Sequence, residues 1–267
     1  MDAVSILILL LLGAAAGFLA GFFGVGGGII LVPMLLAYYA STGVTSLIAT
    51  HLAFGTSLFA IIFASLSSGF QYYRNDQVIW RAVAVIGLTS VVGAYLGSVV
   101  AGGLQGKRLQ QIFAVVVVVA AFRLFAEVRK PKGSEGPRLG FAGLAGTGLV
   151  VGLVSSLAGV GGGVFSIPIM YSLLHFPLKR ALGTSSATIV LTALAGVVGY
   201  AVQGWGNPLL PRGTAGFVDY LHAFPIIVGT VPLAIVGARL SEKTHPAALR
   251  QIFAAFLLVV AIKLFLF

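Results

Sequence analysis

The residues of this chain whose types and spacing could do chemistry lie in two copies of one glycine-rich peptide. The sequence Gly-Val-Gly-Gly-Gly occurs at 24–28 and again at 159–163, and each copy is followed at the same spacing by a proline, Pro33 or Pro168. Each copy leads into an apolar stretch that we predict to be a helix. The first N–H groups of a helix lack intrahelical partners and carry the positive end of its dipole. Glycines before them let the main chain approach a ligand, so each copy predicts a small anion site. The predicted binding glycines are Gly24, Gly26, Gly27, Gly28, Gly159, Gly161, Gly162 and Gly163.

Close packing of helices is the alternative use of glycine in an apolar chain. Three consecutive glycines destabilise a helix by about 1 kcal/mol each relative to alanine, which disfavours packing as the sole role of the two runs. Packing is the favoured interpretation of the glycines that stand singly, four residues apart, within apolar segments. These are Gly13, Gly17 and Gly21, and Gly93 and Gly97.

Hydroxyl side chains after each glycine run could also bind an anion without placing a fixed charge in an apolar setting. We pair Ala49-Thr50-His51-Leu52-Ala53 of the first half with Gly183-Thr184-Ser185-Ser186-Ala187 of the second. Thr50, His51, Thr184, Ser185 and Ser186 are therefore candidate substrate-binding residues. The alternative is that the hydroxyls bind carbonyls of their own helices. His51 is ionisable and could bind the anion or carry a proton, or could be an inert histidine at a helix start.

The composition places the chain in a membrane and excludes several functions. Hydrophobic residues make up 59% of it and charged residues 8%, against about 25% charged residues in a soluble domain. The net charge of +10 is carried by loops and acts as a topology signal rather than as a nucleic-acid site. There is no cysteine, metal-binding motif, paired carboxylate or nucleotide-binding loop, so we predict no cofactor, no metal and no enzymatic activity.

The order of apolar segments repeats, which indicates an internal duplication. We predict an N-terminal membrane repeat over 1–128, a basic cytoplasmic linker over 129–139 and a C-terminal membrane repeat over 140–267. Gln111-Ile112-Phe113 near the end of the first repeat matches Gln251-Ile252-Phe253 in the second. Repeats of this kind commonly hold a binding site between them.

The distribution of basic residues favours repeats of opposite orientation. If each half crosses the bilayer an odd number of times, 12 of the 16 Lys and Arg lie on the side of the linker, as the positive-inside rule requires. Both termini are then extracytoplasmic. The segments 29–40 and 164–176 are too short to span, since about 12 helical residues reach only ~18 Å. The predicted fold is therefore all-α: two inverted repeats, each a re-entrant hairpin with the glycine run at its tip, followed by three transmembrane helices.

These motifs resemble those of the TauE/SafE sulfite exporter family of membrane transporters. The resemblance rests on the twin glycine runs with their prolines, the Ala49-Thr50 stretch and its counterpart, and the loop Arg74-Asn75-Asp76. It implies transport of sulfite, organosulfonates or related small sulfur oxyanions, bound at both glycine runs. His51 stands where many members have a small hydroxyl residue. The lack of cysteine argues against the members that carry thiosulfate by thiol chemistry.

We therefore expect a secondary transporter in the inner (plasma) membrane that exports a small sulfur-containing anion by alternating access. The alternatives are an anion channel, an importer of another small oxyanion, a membrane-embedded enzyme and a scaffolding subunit. Coupling to protons and assembly as a homodimer are left open, and no nucleic-acid partner is expected.

Overall fold

The protein is described by a computed structural model that covers residues 2–128, 137, 140–249, 251–253, 255, 256 and 259. The predicted linker at 129–139, except residue 137, and the end of the second repeat lie outside these described residues. Within them the chain is almost entirely helical, and the prediction of an all-α integral membrane protein is confirmed.

The helices follow the same order in both halves. The elements of the first half are α1 Ala3–Phe23, α2 Gly28–Ser41, α3 Ser46–Arg74, α4 Trp80–Gly102 and α5 Gly106–Val128. Those of the second half are α6 Phe141–Ala158, α7 Gly163–Ser172, α8 Leu178–Gln203, β1 Thr214–Ala215, β2 Val218–Asp219 and α9 Tyr220–Lys243. A further helical stretch begins at residue 246, in the position that α5 has in the first half.

The long helices α3 and α8 form the centre of the molecule and run antiparallel. Near the start of α3, a Cβ atom built at Gly55 would lie 3.1 Å from the Cβ of Tyr200, near the end of α8. Near the start of α8, a Cβ at Gly183 would lie 3.0 Å from the Cβ of Tyr72, near the end of α3. We call the face where α3 begins the amino-terminal face and the face where α3 ends the linker face. Antiparallel equivalents are the arrangement that inverted repeats require.

Each half packs its first helix against the other half. Helix α1 lies along α9, and α6 lies along α4 in the same way. Glycines allow the approach: a Cβ at Gly13 would lie 2.1 Å from the carbonyl oxygen of Ile226, and one at Gly93 would lie 2.3 Å from that of Leu149. The packing role predicted for the single glycines is confirmed, and these contacts interlock the two halves.

Helices α1 and α2 form a hairpin that enters and leaves at the amino-terminal face. Helix α1 runs parallel to α9, and α9 begins next to the start of α3. Helix α2 ends at the same face, where Tyr39 lies beside Thr56 of α3. Helices α6 and α7 form the matching hairpin at the linker face, where Leu174 joins Ala82 and Ile86 of α4 in a small apolar cluster.

The first arm of each hairpin is long, whereas the returning arm is short. Among the described helices, six are long and apolar enough to cross a membrane, and α1 and α6 are two of them, with α3, α4, α8 and α9. Helices α2 and α7 have 14 and 10 residues. The outer surface carries large exposed apolar side chains such as Leu7, Leu88 and Val150, as a lipid-facing surface does.

Candidate functional site

The two glycine runs form buried loops with the same backbone geometry. We call residues 24–28 loop 1 and residues 159–163 loop 2; every residue of both is buried. Each loop has left-handed backbone at its first, second and third glycines, where an L side chain would be strained. The φ angles are 64° at Gly24, 84° at Gly26, 86° at Gly27, 65° at Gly159, 81° at Gly161 and 93° at Gly162.

Each loop ends at the start of a short helix. The carbonyl of Gly27 accepts from the amides of Ile30 and Leu31, which closes the first turn of α2. The carbonyl of Gly162 does the same for α7. The amides of the first two residues of each helix, Gly28 with Ile29 and Gly163 with Val164, have no carbonyl of their own helix within reach. Both helices therefore direct the positive end of their dipoles into the buried centre.

The two loops contact each other directly and run past each other in opposite directions. A Cβ atom built at Gly28 would lie 2.6 Å from the Cα of Val160, and one at Gly163 would lie 2.4 Å from the Cα of Val25. Even a methyl group at either glycine would force the loops apart. The structure thus brings the eight predicted glycines together, in a conformation whose loops are closed on each other.

Ile61 of α3 and Ile189 of α8 place the loops near the middle of both central helices. A Cβ at Gly26 would lie 2.9 Å from Cγ2 of Ile61 and 3.4 Å from Cγ2 of Ile189. A Cβ at Gly161 would lie 2.8 Å and 3.2 Å from the same two atoms. Ile61 and Ile189 are structural equivalents, so the two loops share one pseudo-symmetric environment at mid-depth.

Two buried hydroxyls point at the loops without a hydrogen-bond partner among the described residues. The Oγ of Ser65 lies 3.5 Å from the position of a Cβ at Gly26, and the Oγ of Ser155 lies 3.5 Å from that of a Cβ at Gly162. Both serines are 1% exposed. A buried polar atom normally has a hydrogen-bond partner, and these two serine hydroxyls lack one within the described part of the chain. Sequence reasoning did not select either serine.

The predicted residue Ser185, in the second half, forms a hydrogen bond that holds loop 1 of the first half. Its hydroxyl donates to the carbonyl of Gly24 at 3.0 Å and lies 2.7 Å from the hydroxyl of Ser166. In the other half, Ser57 donates to the carbonyl of Gly159 at 3.0 Å. Each glycine loop is therefore held by a serine of the opposite repeat.

The predicted residue Thr184 caps the start of α4, and its neighbour Ser186 is buried. Thr184 Oγ1 accepts from the amide of Ile79 at 3.1 Å, and Thr56 Oγ1 accepts from the amide of Asp219 at 3.0 Å in the equivalent contact. The Oγ of Ser186 has no partner among the described residues, and the Cβ of this serine lies 3.8 Å from the position of a Cβ at Gly69 of α3.

These contacts correct the pairing of the two halves made from sequence. Thr184-Ser185 corresponds to Thr56-Ser57, not to Thr50-His51. The signal was present: the triplet Gly-Thr-Ser occurs at 55–57 and at 183–185. A Cβ at Gly55 would lie 2.0 Å from the carbonyl oxygen of Phe217, so the glycine of the triplet admits the next segment of backbone.

Thr50 and His51 lie at the amino-terminal face, in contacts with α4 and α5. Thr50 Oγ1 accepts from Nε2 of Gln110 at 2.9 Å. Nε2 of His51 is 3.0 Å from the carbonyl oxygen of Ala101, in the last turn of α4, and the imidazole stacks on Phe217 with ring centres 4.9 Å apart. The structure gives both side chains helix-end partners and does not bring them to the glycine loops.

Two clefts of the structure are apolar and do not include loop residues. One of about 810 Å³ lies beside α1 and α9 and is lined by Leu10, Tyr220 and Phe224. Another of about 380 Å³ lies between α5, α6 and α7. Both open on the lipid-facing surface. Among the described residues no group of three His, Cys, Asp or Glu could hold a metal ion.

Comparison with known proteins gives one family over nearly the whole chain. The family model described as "Sulfite exporter TauE/SafE" matches residues 9–264. A "Probable membrane transporter protein" of Haemophilus influenzae is 32% identical, and the match covers 98% of both chains. Proteins with the same description from Methanocaldococcus jannaschii and Bacillus subtilis are each 26% identical, over 97% and 98% of this chain and 95% and 97% of theirs. No solved structure matches the chain.

Proposed function

The chain belongs to the sulfite exporter TauE/SafE family of membrane transporters, and from that premise we propose that it is a secondary transporter which exports sulfite or an organosulfonate across the cytoplasmic membrane. The anion would bind to the amides at the starts of α2 and α7. The observation that carries this proposal is the direct contact of loop 1 with loop 2, each opening a helix whose N-terminus is buried at mid-depth.

A small oxyanion suits the chemistry of this site. Main-chain amides and hydroxyls donate hydrogen bonds to each oxygen, and two helix dipoles favour negative charge without a buried cation. The unpartnered hydroxyls of Ser65 and Ser155 would complete the set of donors. Three or four oxygens on one sulfur atom can accept from donors that converge from both repeats.

Transport by alternating access requires that the closed contact between the loops opens toward one face at a time. The hairpins α1–α2 and α6–α7 enter from opposite faces, so each can move with its own loop. We place the linker face in the cytoplasm because the basic segments near Arg74, Lys179 and Arg239 gather there. In support, Lys179 and Asn75 both bind Glu242 at this face.

The test is the replacement of the unpartnered hydroxyls. Ser65→Ala and Ser155→Ala should each weaken sulfite binding by the purified protein about tenfold or more, because a hydrogen bond to a charged group contributes about 1.5–3 kcal/mol. The same variants should keep or slightly raise the melting temperature, since each removes a buried hydroxyl that lacks a partner. Binding is measured by competition with radiolabelled sulfite, and melting by fluorescence in detergent.

The chain offers a matched control for this test. Ala20 faces loop 1 in the position where Ser155 faces loop 2, so Ala20→Ser adds a hydroxyl at the equivalent place. Gly146→Ala alters a glycine whose Cβ would meet open space and should change neither measurement. Unchanged sulfite affinity in both serine variants would reject the site. Counterflow of sulfite, sulfate, sulfoacetate and taurine in proteoliposomes then identifies the substrate and separates a transporter from a channel.

A further inference from the structure

A buried carboxylate at the amino-terminal face has more partners than a helix cap needs. Asp219 is 0% exposed. Its Oδ1 accepts from the main-chain amide of His222 at 3.0 Å, which caps α9. Its Oδ2 lies 2.6 Å from Nδ1 of His222 and accepts from the hydroxyl of Tyr39 at 3.2 Å. When Asp219 is ionised its oxygens only accept, so Nδ1 of His222 is then the donor.

Three elements converge on this carboxylate. Helix α2 contributes Tyr39 and also Tyr38, whose ring centre is 5.3 Å from that of His222. Helix α3 contributes the hydroxyl of Thr56, which is 3.4 Å from that of Tyr39 and accepts from the amide of Asp219. Strand β1 faces Asp219 with the backbone of Thr214. The titratable groups that face Asp219 and His222 are thus Tyr38 and Tyr39. Within the described residues, the ion-pair partner of Asp219 is His222.

Among the described residues, the linker-face positions equivalent to Asp219, His222 and Tyr39 carry apolar side chains. The Thr184–Ile79 contact corresponds to the Thr56–Asp219 contact, so Ile79 stands where Asp219 does. Ala82 and Leu174 occupy the places of His222 and Tyr39 and belong to an apolar cluster. The architecture forms without a carboxylate at one end, so the fold alone does not account for the carboxylate at the other.

A buried carboxylate is costly unless it is neutralised or fully hydrogen-bonded. The imidazole of His222 can neutralise it by taking up one proton, which converts a neutral imidazole beside a carboxylate into an imidazolium–carboxylate pair with no net charge. The side chain of His222 is 18% exposed, whereas that of Asp219 is fully buried.

We propose that Asp219 and His222 form a proton-binding site, and that proton binding weakens the attachment of α2 to the start of α9. Tyr39 shares Oδ2 with His222, so a proton on the imidazole strengthens the His222 bond and weakens the bond from Tyr39. Helix α2 begins at loop 1, so release of its far end moves one half of the anion site. This inference rests on the proposed function for its role, and names the proton as the coupling ion.

The first test needs no substrate and uses the lack of cysteine in the natural chain. Ser41→Cys at the end of α2 and Leu221→Cys at the start of α9 place two spin labels on exposed positions. The distance between the labels should be longer at about pH 5 than at about pH 8, because acid favours the proton-bound form of the site. The change should be absent in Asp219→Asn, which keeps the capping oxygen, and in His222→Gln.

A control pair at the linker face, Leu173→Cys with Arg81→Cys, is made together with His175→Gln, because that histidine lies two residues from one of the labels. It should show no dependence on pH in this range. The proposal is overturned if the amino-terminal pair does not respond to pH, or if the same response persists in Asp219→Asn. Circular dichroism and gel filtration of each variant establish that it is folded.

The second test compares exchange with proton-driven transport in proteoliposomes. Asp219→Asn should keep sulfite–sulfite exchange within about twofold but lose transport driven by a pH gradient by tenfold or more. Asp76→Asn and His245→Gln, at exposed positions, should keep both activities. Proton-driven transport by Asp219→Asn at the natural rate overturns the proposal. If the natural protein exchanges no anion at all, the proposed function fails instead, and the spin-label distances still decide the proton site.

Discussion

The amino-terminal and linker faces contain two versions of one contact, in which a Gly-Thr-Ser triplet receives the start of a helix. At both faces the threonine accepts from the amide that precedes the helix, and the serine donates to a glycine loop of the other repeat. The amino-terminal face adds Asp219, His222 and Tyr39, where the linker face has apolar side chains. What the two faces share explains the architecture, and what only one has points to a function that differs between the two sides of a membrane.

Replacement of Asp219 by isoleucine, the residue type at the equivalent linker-face position Ile79, should have the largest effect on stability. Asp219→Ile leaves the His222 imidazole and the capping amide without their acceptor and removes the nearer of the two acceptors of the Tyr39 hydroxyl, and should cost about 3 kcal/mol of unfolding free energy. Ile79→Val at the linker face should cost about 1 kcal/mol. Chemical denaturation in detergent measures both. Equal losses would show that the carboxylate cluster is not a structural element of the amino-terminal face.

Replacement of the shared serines should have a smaller and nearly balanced effect. Ser57→Ala removes one hydrogen bond to Gly159 and should cost about 1 kcal/mol. Ser185→Ala removes the bond to Gly24 and also the contact with Ser166, so it should cost slightly more. The same denaturation series checks this order. A larger loss of unfolding free energy in Ser57→Ala than in Ser185→Ala would contradict the assignment of equivalent hydrogen-bonding roles to the two serines.

The glycine loops could be predicted from the sequence because their signal is local. Three consecutive glycines have few uses in an apolar chain, and their repetition at 159–163 indicates that the two copies share a role. The structure shows them in contact. The equivalence of Thr184-Ser185 with Thr56-Ser57 was missed because the match was made six residues too early, on Thr50-His51. In a uniformly apolar helix, periodicity gives no register that would correct such a shift.

The Asp219 cluster could not be predicted, because its members are far apart in sequence. Tyr39 and Asp219 are separated by 180 positions, and Thr56 and Asp219 by 163. Nothing in the residues around Asp219 indicates burial, since an acidic residue before a helix is commonly an exposed cap. Ser65 and Ser155 were missed for a related reason: serines in membrane helices usually bind their own backbone, and nothing in the sequence shows that these two do not.

Selenite, in which selenium replaces the sulfur of sulfite, offers the most direct measurement of the central claim. Anomalous scattering from crystals of the purified protein soaked in selenite would locate the anion. We predict a selenium peak beside the amides of Gly28 and Ile29 or of Gly163 and Val164, within reach of the hydroxyl of Ser65 or Ser155. A selenium peak elsewhere in the protein, with both glycine loops unoccupied, would contradict the account.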